Sequence, residues 1–235
     1  MPKQSEPLPD WEHVLSAAAH LQRIVPDTVL VGGTASAIHA QHRFSRDADQ
    51  VLTDLRTRFD DVLATLESVA GWQTARINRP VLILGSLDGI ETGLRQLIRA
   101  EPLETTTITI DGQQITIPTQ PEILRIKAAL ILKRNATRDY LDFVALADHM
   151  GDARVGQALV SFDRLYPQPN KQSALLQLQV QLASPLPFDL DDVSLPQYKN
   201  LAVRWQDWSN VKATCGHVAA SVFEHVCRAR EQKKP

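Results

Sequence analysis

The chain of 235 residues has only two cysteines, Cys215 and Cys227, and they fit no metal-ligand or redox spacing. Reduced, buried thiols in a cytosolic protein are the expectation over a disulfide. No apolar run is long enough to span a bilayer, and Met1–Glu6 holds no apolar signal core. There is no internal repeat, no Ser-His-Asp order and no HExxH zinc pattern. A net charge of −2 argues against a protein that coats nucleic acid nonspecifically. These absences point to a soluble cytoplasmic protein without a membrane partner. The 43% hydrophobic and 22% charged fractions suit a globular chain that can bury a core. The charge is uneven, at −5 over residues 1–118 and +3 over 119–235, a tilt that permits contact with RNA phosphates.

The densest signal lies at Val29-Leu30-Val31-Gly32-Gly33-Thr34, followed by Arg43-Phe44-Ser45-Arg46-Asp47-Ala48-Asp49. It reads as a short strand, a diglycine turn, a short helix and a strand bearing two acids. Glycines let backbone N–H groups approach a phosphate, and a helix N-terminus favours that anion. Residues two apart on a strand share a face, so Asp47 and Asp49 can converge. Paired hard oxygen ligands suit a Mg²⁺ ion carrying a nucleoside triphosphate.

Further along, the periodicity predicts helices over 10–24, 33–40 and 56–69, and strands over 28–31, 48–53, 72–77, 81–84 and 90–97. Asp88-Gly89 and Asp111-Gly112 read as hairpin turns, the second joining strands 105–110 and 114–117. At Pro118 the pattern changes. Thr119-Gln120-Pro121-Glu122 has the form of a capping box opening a helix to Arg134. Helices are then expected over 137–150, 153–165, 173–182 and 209–230, the last with a core stripe of Val211, Cys215, Val218, Val222 and Val226. The expected organisation is α+β: a mixed-sheet core over 1–118 and a helical domain over 119–235.

The diglycine, the spacer and Asp47-Ala48-Asp49 resemble the signature of the DNA polymerase-β-like nucleotidyltransferase superfamily. That family usually continues with an apolar residue where this chain has Gln50. Lys127 through Arg134, followed by Arg138-Asp139-Tyr140-Leu141-Asp142, is similar to the later motifs of the AbiEii/AbiGii toxin branch, associated with type IV toxin–antitoxin systems. The resemblance runs from Val29 to Ala147.

It implies Mg²⁺-dependent transfer of a nucleoside monophosphate from an NTP to an acceptor hydroxyl. Asp47 and Asp49 would hold one or two metal ions, with Glu91 as a candidate third ligand. Gly32, Gly33, Thr34 and Ser45 would bind the triphosphate, and Lys127 and Arg134 would offset its charge. Asp139 and Asp142 are expected near the chemistry. Lys127 and Arg134, seven residues apart, share a helix face; taken without the resemblance, such a face normally looks to water.

The family's third carboxylate is expected near Ile90–Arg95, where Gly93 stands in the place of an acid. Either the pair suffices, or Asp139 or Asp142 compensates. The acceptor is expected to be tRNA or another RNA, and the partner a cognate antitoxin. Transfer to a small molecule or a protein, or a catalytically inactive nucleotide-binding module, are the alternatives. His39 and His42 are expected at a helix surface or cap, and Trp205 and Trp208 as core anchors.

Overall fold

A computed structural model describes residues 10–169 and 171–231, with side chains described to residue 225. Met1–Glu6, the final Lys-Lys-Pro and the side chains of Val226 and Cys227 therefore lie outside the described residues. Among those described, no helix is long and apolar enough to cross a membrane.

The chain forms two compact units. The first comprises 1–35, 45–98 and 105–117; the second comprises 36–44, 99–104 and 118–235. Two segments that a division at 118 assigns to the front, 36–44 and 99–104, thus group with the helical unit.

In the first unit α1 (Trp11–Ile24), β1 (Val29–Leu30), the start of α2 (Gly32–Ala40), β2 (Ala48–Leu52), α3 (Leu55–Glu67), β3 (Trp72–Asn78), β4 (Leu82–Leu87) and β5 (Ile90–Gln96) build a mixed sheet. Its order is β1-β2-β5-β4-β3. Only β2 and β5 are parallel; the other neighbours are antiparallel. The alternation of β2 buries Ala48, Gln50 and Leu52 and turns Asp49 to the opposite face. Leu52, Leu94 and Ile83 join Leu21 of α1 and Phe59, Val62 and Leu66 of α3 in one core. Gln50, in a position where an apolar residue is usual, is fully buried and donates from Nε2 to the Ala18 carbonyl at 2.9 Å.

The hairpin of β6 (Thr105–Ile110) and β7 (Gln113–Pro118) forms a separate two-stranded sheet. The Gln22 amide pairs with both backbone groups of Thr116, at 2.9 and 2.8 Å, as a strand edge would. Both expected hairpin turns are present, with Asp88-Gly89 and Asp111-Gly112 all at positive φ.

The second unit is helical: α4 (Gln120–Arg134), α5 (Thr137–Met150), α6 (Asp152–Leu159), α7 (Phe162–Leu165), α8 (Ala174–Ala183) and α9 (Trp208–Glu231). Three 3₁₀ turns, at Leu190–Asp192, Leu195–Gln197 and Val203–Gln206, fill the stretch between α8 and α9, where the sequence shows no periodicity. The single helix expected over 153–165 is broken at Val160–Ser161, which turns Phe162 and Leu165 inward. Asn135 closes α4 in the left-handed conformation, as the expected break requires. Buried α5 residues occupy every side of that helix, so α5 is central to its unit. Trp205 is buried, and Trp208 packs edge-on against Tyr140 with centroids 5.9 Å apart. Of the α9 stripe, Val211, Cys215, Val218 and Val222 are buried. Burial pushes the free Cys215 thiol up to about 12.

The expected capping box does not form. The Thr119 hydroxyl is buried without a partner, while its N–H donates to the Glu104 carbonyl at 2.8 Å. Glu122 cannot reach back, because its buried carboxylate is taken by Arg99 at 2.7 Å and Arg125 at 2.6 Å. Arg125 also reaches Glu104 at 2.7 Å. Burial opposes the Arg125 charge, but Glu122 and Glu104 outweigh it and raise its pKa. These ions tie segment 99–104 to α4. Glu122→Gln is expected to leave two buried guanidiniums short of a counter-charge and to cost roughly 3–5 kcal/mol, read as a lower urea midpoint.

Candidate active site

In the first unit the diglycine turn and the acidic strand are stapled together. The Val31 N–H donates to the Asp49 carbonyl at 2.9 Å, and the Thr34 hydroxyl donates to the Asp47 carbonyl. Gly32 sits at φ 72°, a conformation an L side chain resists, and opens α2 there. Gly33 and Thr34 therefore lie in the first helical turn, where backbone N–H groups point out of the helix end.

Asp47 and Asp49 are both partly exposed. The Ser45 hydroxyl, itself buried, donates to Asp47 Oδ1 at 2.6 Å. The hydroxyls of Thr34 and Ser45, expected to meet the triphosphate, both donate to Asp47, Thr34 to its backbone carbonyl and Ser45 to its carboxylate.

Asp49 stands beside Gly93 on β5. A Cβ at Gly93 would lie 2.5 Å from Leu84 Cδ2, 2.9 Å from the Ile83 carbonyl oxygen and 3.4 Å from Asp49 Oδ1. A backbone carbonyl cannot swing aside as a side chain can, so this place is closed to an acid. Glu91 lies outside the β2–β5 ladder and is exposed. Among the described residues no group of three or more His, Cys, Asp or Glu side chains is arranged to hold a metal. A cation stands beside the pair: Arg95 Nη2 lies 3.5 Å from Asp49 Oδ2.

The second unit holds a buried ionic cluster on α4 and α5. Asp142 is fully buried and accepts from His42 Nε2 at 2.8 Å, Arg43 Nε at 2.8 Å and Arg43 Nη2 at 3.1 Å. Lys127 Nζ lies 2.7 Å from its other oxygen, Oδ2. Asp139, also fully buried, takes both Arg134 Nε and Nη2, at 2.5 and 2.7 Å, with Lys127 at 3.7 Å. Lys127 and Arg134 do share a helix face that meets α5; Lys127 is 1% exposed, whereas 38% of the Arg134 side chain is exposed. Burial by itself would raise the Asp142 pKa; Arg43, Lys127 and the His42 hydrogen bond together hold it well below the usual carboxylate range.

His42 and Arg43 were not among the expected site residues. His42 is 2% exposed rather than at a surface or cap, and Arg43 is 7% exposed. His39 Nε2 lies 2.8 Å from the Pro118 carbonyl oxygen. Backbone bonds from Phe44 N to Lys199 O and from Ala202 N to His42 O, both 2.8 Å, hold the same segment. The one signal that could have found Arg43 is its place four residues before Asp47 in a run whose other charges lie in the motif.

The family model for the nucleotidyl transferase AbiEii toxin of type IV TA systems matches residues 13–220. The chain belongs to the AbiEii nucleotidyltransferase family. Two solved structures share its mixed α/β fold: a putative nucleotidyltransferase from Helicobacter pylori and JHP933 from the same organism. The first is 17% identical, with a TM-score of 0.57 over 96% of this chain and 99% of that one. The second is 16% identical, with a TM-score of 0.54 over 94% of each. Among curated proteins, the heme uptake protein MmpL11 of Mycobacterium tuberculosis is 30% identical over 93% of this chain and 23% of its own length. The mycolic acid-containing lipids exporter MmpL11 of Mycolicibacterium smegmatis is 35% identical over 54% of this chain and 13% of its own. The chain thus spans at most about a quarter of the length of these curated relatives.

A carboxylate whose pKa is depressed on folding stabilises the fold above its unfolded value of about 4, and that stabilisation fades as pH falls toward the folded pKa. Asp142→Asn in this AbiEii member should therefore cost roughly 3–5 kcal/mol at neutral pH. The gap between variant and wild type, followed by urea unfolding at stepped pH, should narrow below about pH 4.

Proposed function

We propose that this AbiEii nucleotidyltransferase moves a nucleoside monophosphate from a Mg²⁺-bound NTP to an acceptor hydroxyl, with Asp47 and Asp49 as the metal-binding pair. The observation that carries this reading is the stapling of a partly exposed acidic pair to a diglycine turn that opens a helix. The donor set fits magnesium, which takes one or two carboxylates and fills its other positions with water and substrate phosphate. When bound, the ion supplies charge stabilisation for an in-line displacement.

The chain's own groups do the rest. Ser45 and Thr34 hold Asp47 in place, and the backbone amides of Gly33 and Thr34 are the proposed phosphate donors. Arg134, held by Asp139 through Nε and Nη2, keeps the proposed phosphate role on the strength of the family resemblance. Lys127 is buried, and its proposed task is to hold Asp142. Asp139 and Asp142 are proposed as the carboxylates that fix these cations, not as metal ligands. The acceptor oxygen bonds to the α-phosphorus as its hydroxyl proton passes to solvent, the α–β anhydride bond breaks and pyrophosphate leaves.

Incubation with each α-labelled NTP and with total RNA or total protein tests the reaction. Asp47→Asn and Asp49→Asn should each retain the fold by circular dichroism and lose transfer by about a hundredfold or more. Excess EDTA should do the same. Full activity in both variants would refute the site.

For the acceptor we propose an RNA, tRNA first, and for the biological role a type IV toxin restrained by a cognate antitoxin. The support is the family's description together with the +3 balance of residues 119–235. The transport named for the MmpL11 relatives belongs to much longer proteins and is not part of this reading. Phosphate contacts release counterions, so transfer to subsaturating RNA should fall as KCl rises at fixed Mg²⁺ and saturating NTP. A flat response, or label only on protein or small metabolites, would remove RNA as the acceptor and leave nucleotidyl transfer standing.

A further inference from the structure

The side of Asp49 that meets β5 holds a guanidinium. Gly93 leaves no room for a side chain there, since a Cβ would meet the Ile83 carbonyl oxygen at 2.9 Å. Two residues on, and so on the same strand face, Arg95 approaches Asp49 Oδ2 at 3.5 Å. The place Gly93 would fill lies beside the other oxygen, Oδ1. The contact is long for a charge-assisted hydrogen bond, which normally closes to about 2.7–2.9 Å. Arg95 is 45% exposed and Asp49 25%, so solvent reaches both ends of the pair.

We propose that Arg95 is an exchangeable counter-cation of Asp49, paired with the carboxylate when no metal is bound and released to a nucleotide phosphate when a divalent ion takes its place. A guanidinium and a divalent cation on one carboxylate compete, because each favours the charged oxygen that the other uses. Once displaced, the planar fork of Arg95 is matched to two oxygens of a phosphate, which a lysine would meet only as a point charge. The centre is then two carboxylates and one arginine, with the arginine supplying to the substrate the charge it no longer lends to Asp49. No bond is made or broken by this exchange; only partners change. Arg95 is a binding residue for the nucleotide and a competitor for the metal.

This inference rests on the reading of Asp47 and Asp49 as the metal pair, and the test separates the two. Binding of Mn²⁺ alone is followed by electron paramagnetic resonance of the free ion, for wild type, Arg95→Gln and Asp49→Asn. Binding of each α,β-methylene nucleoside triphosphate, which is not cleaved between those phosphates, is then measured with Mn²⁺ saturating. Arg95→Gln should bind Mn²⁺ about two- to fivefold more tightly, the effect expected when an exposed ion pair stops competing. The same variant should bind the best of the four analogues about tenfold more weakly. Arg95→Lys should recover part of that loss. A merely structural arginine would not tighten metal binding when removed. Unchanged or weaker Mn²⁺ binding in Arg95→Gln, or unchanged analogue affinity, would overturn the proposal. If the metal pair itself were misassigned, Asp49→Asn would bind Mn²⁺ as wild type does. If only the role of Arg95 were wrong, Asp49→Asn would lose Mn²⁺ while Arg95→Gln kept its wild-type affinity.

Discussion

A fully buried carboxylate at the middle of a largely buried helix must find cations, and Asp142 governs its unit through that requirement. No water reaches it, so its charge survives only because His42, Arg43 and Lys127 converge on it. Each partner brings a piece of chain with it. Lys127 locks α4 to α5, and His42 and Arg43 draw in segment 36–44, which runs straight on to Ser45 and Asp47. Asp139 repeats the device one turn earlier with Arg134. Replacing such a cluster by apolar residues could match its stability, but it could not hold segment 36–44 through hydrogen bonds whose geometry is directional.

The Glu122 cluster does parallel work for segment 99–104. Two buried guanidiniums share one carboxylate, and Thr119 and Glu104 are joined through the backbone. Both segments that leave the front half of the sequence to join the helical unit are therefore held by buried ions. Helix packing alone is tolerant of small slides; ion pairs with no solvent to replace them are not.

At the acidic pair the governing constraint is steric. The close approach of β4 to β5 at Gly93 removes a side chain beside Asp49 and leaves Arg95 as the neighbouring charge. The proposed transfer then rests on two carboxylates, a helix start and phosphate-directed cations, an arrangement that relies on positioning and electrostatic stabilisation more than on a dedicated base.

Much of this was legible in the residues. The alternation around Asp47-Ala48-Asp49, the turn at Gly32-Gly33 and the two Asp-Gly hairpins follow from period-two patterning and from φ values few residue types accept. The α+β character, the helix boundaries near Arg134 and Met150, and the Val211–Val222 stripe followed in the same way. Other features were decided only by the tertiary structure, because they depend on contacts between residues far apart in the chain. Thr119 and Glu122 satisfy the local rule for a capping box, yet burial beside Arg99 and Arg125 took the carboxylate away. Lys127 and Arg134 look like a solvated face in one dimension and become an ionic seam once α5 is laid against them. His42 and Arg43 carry no motif that marks them, since their partner lies about a hundred residues on. Local patterning determined the elements and the position of the acidic pair. Long-range burial, where a charge must be met or lost, decided which side chains hold them in place.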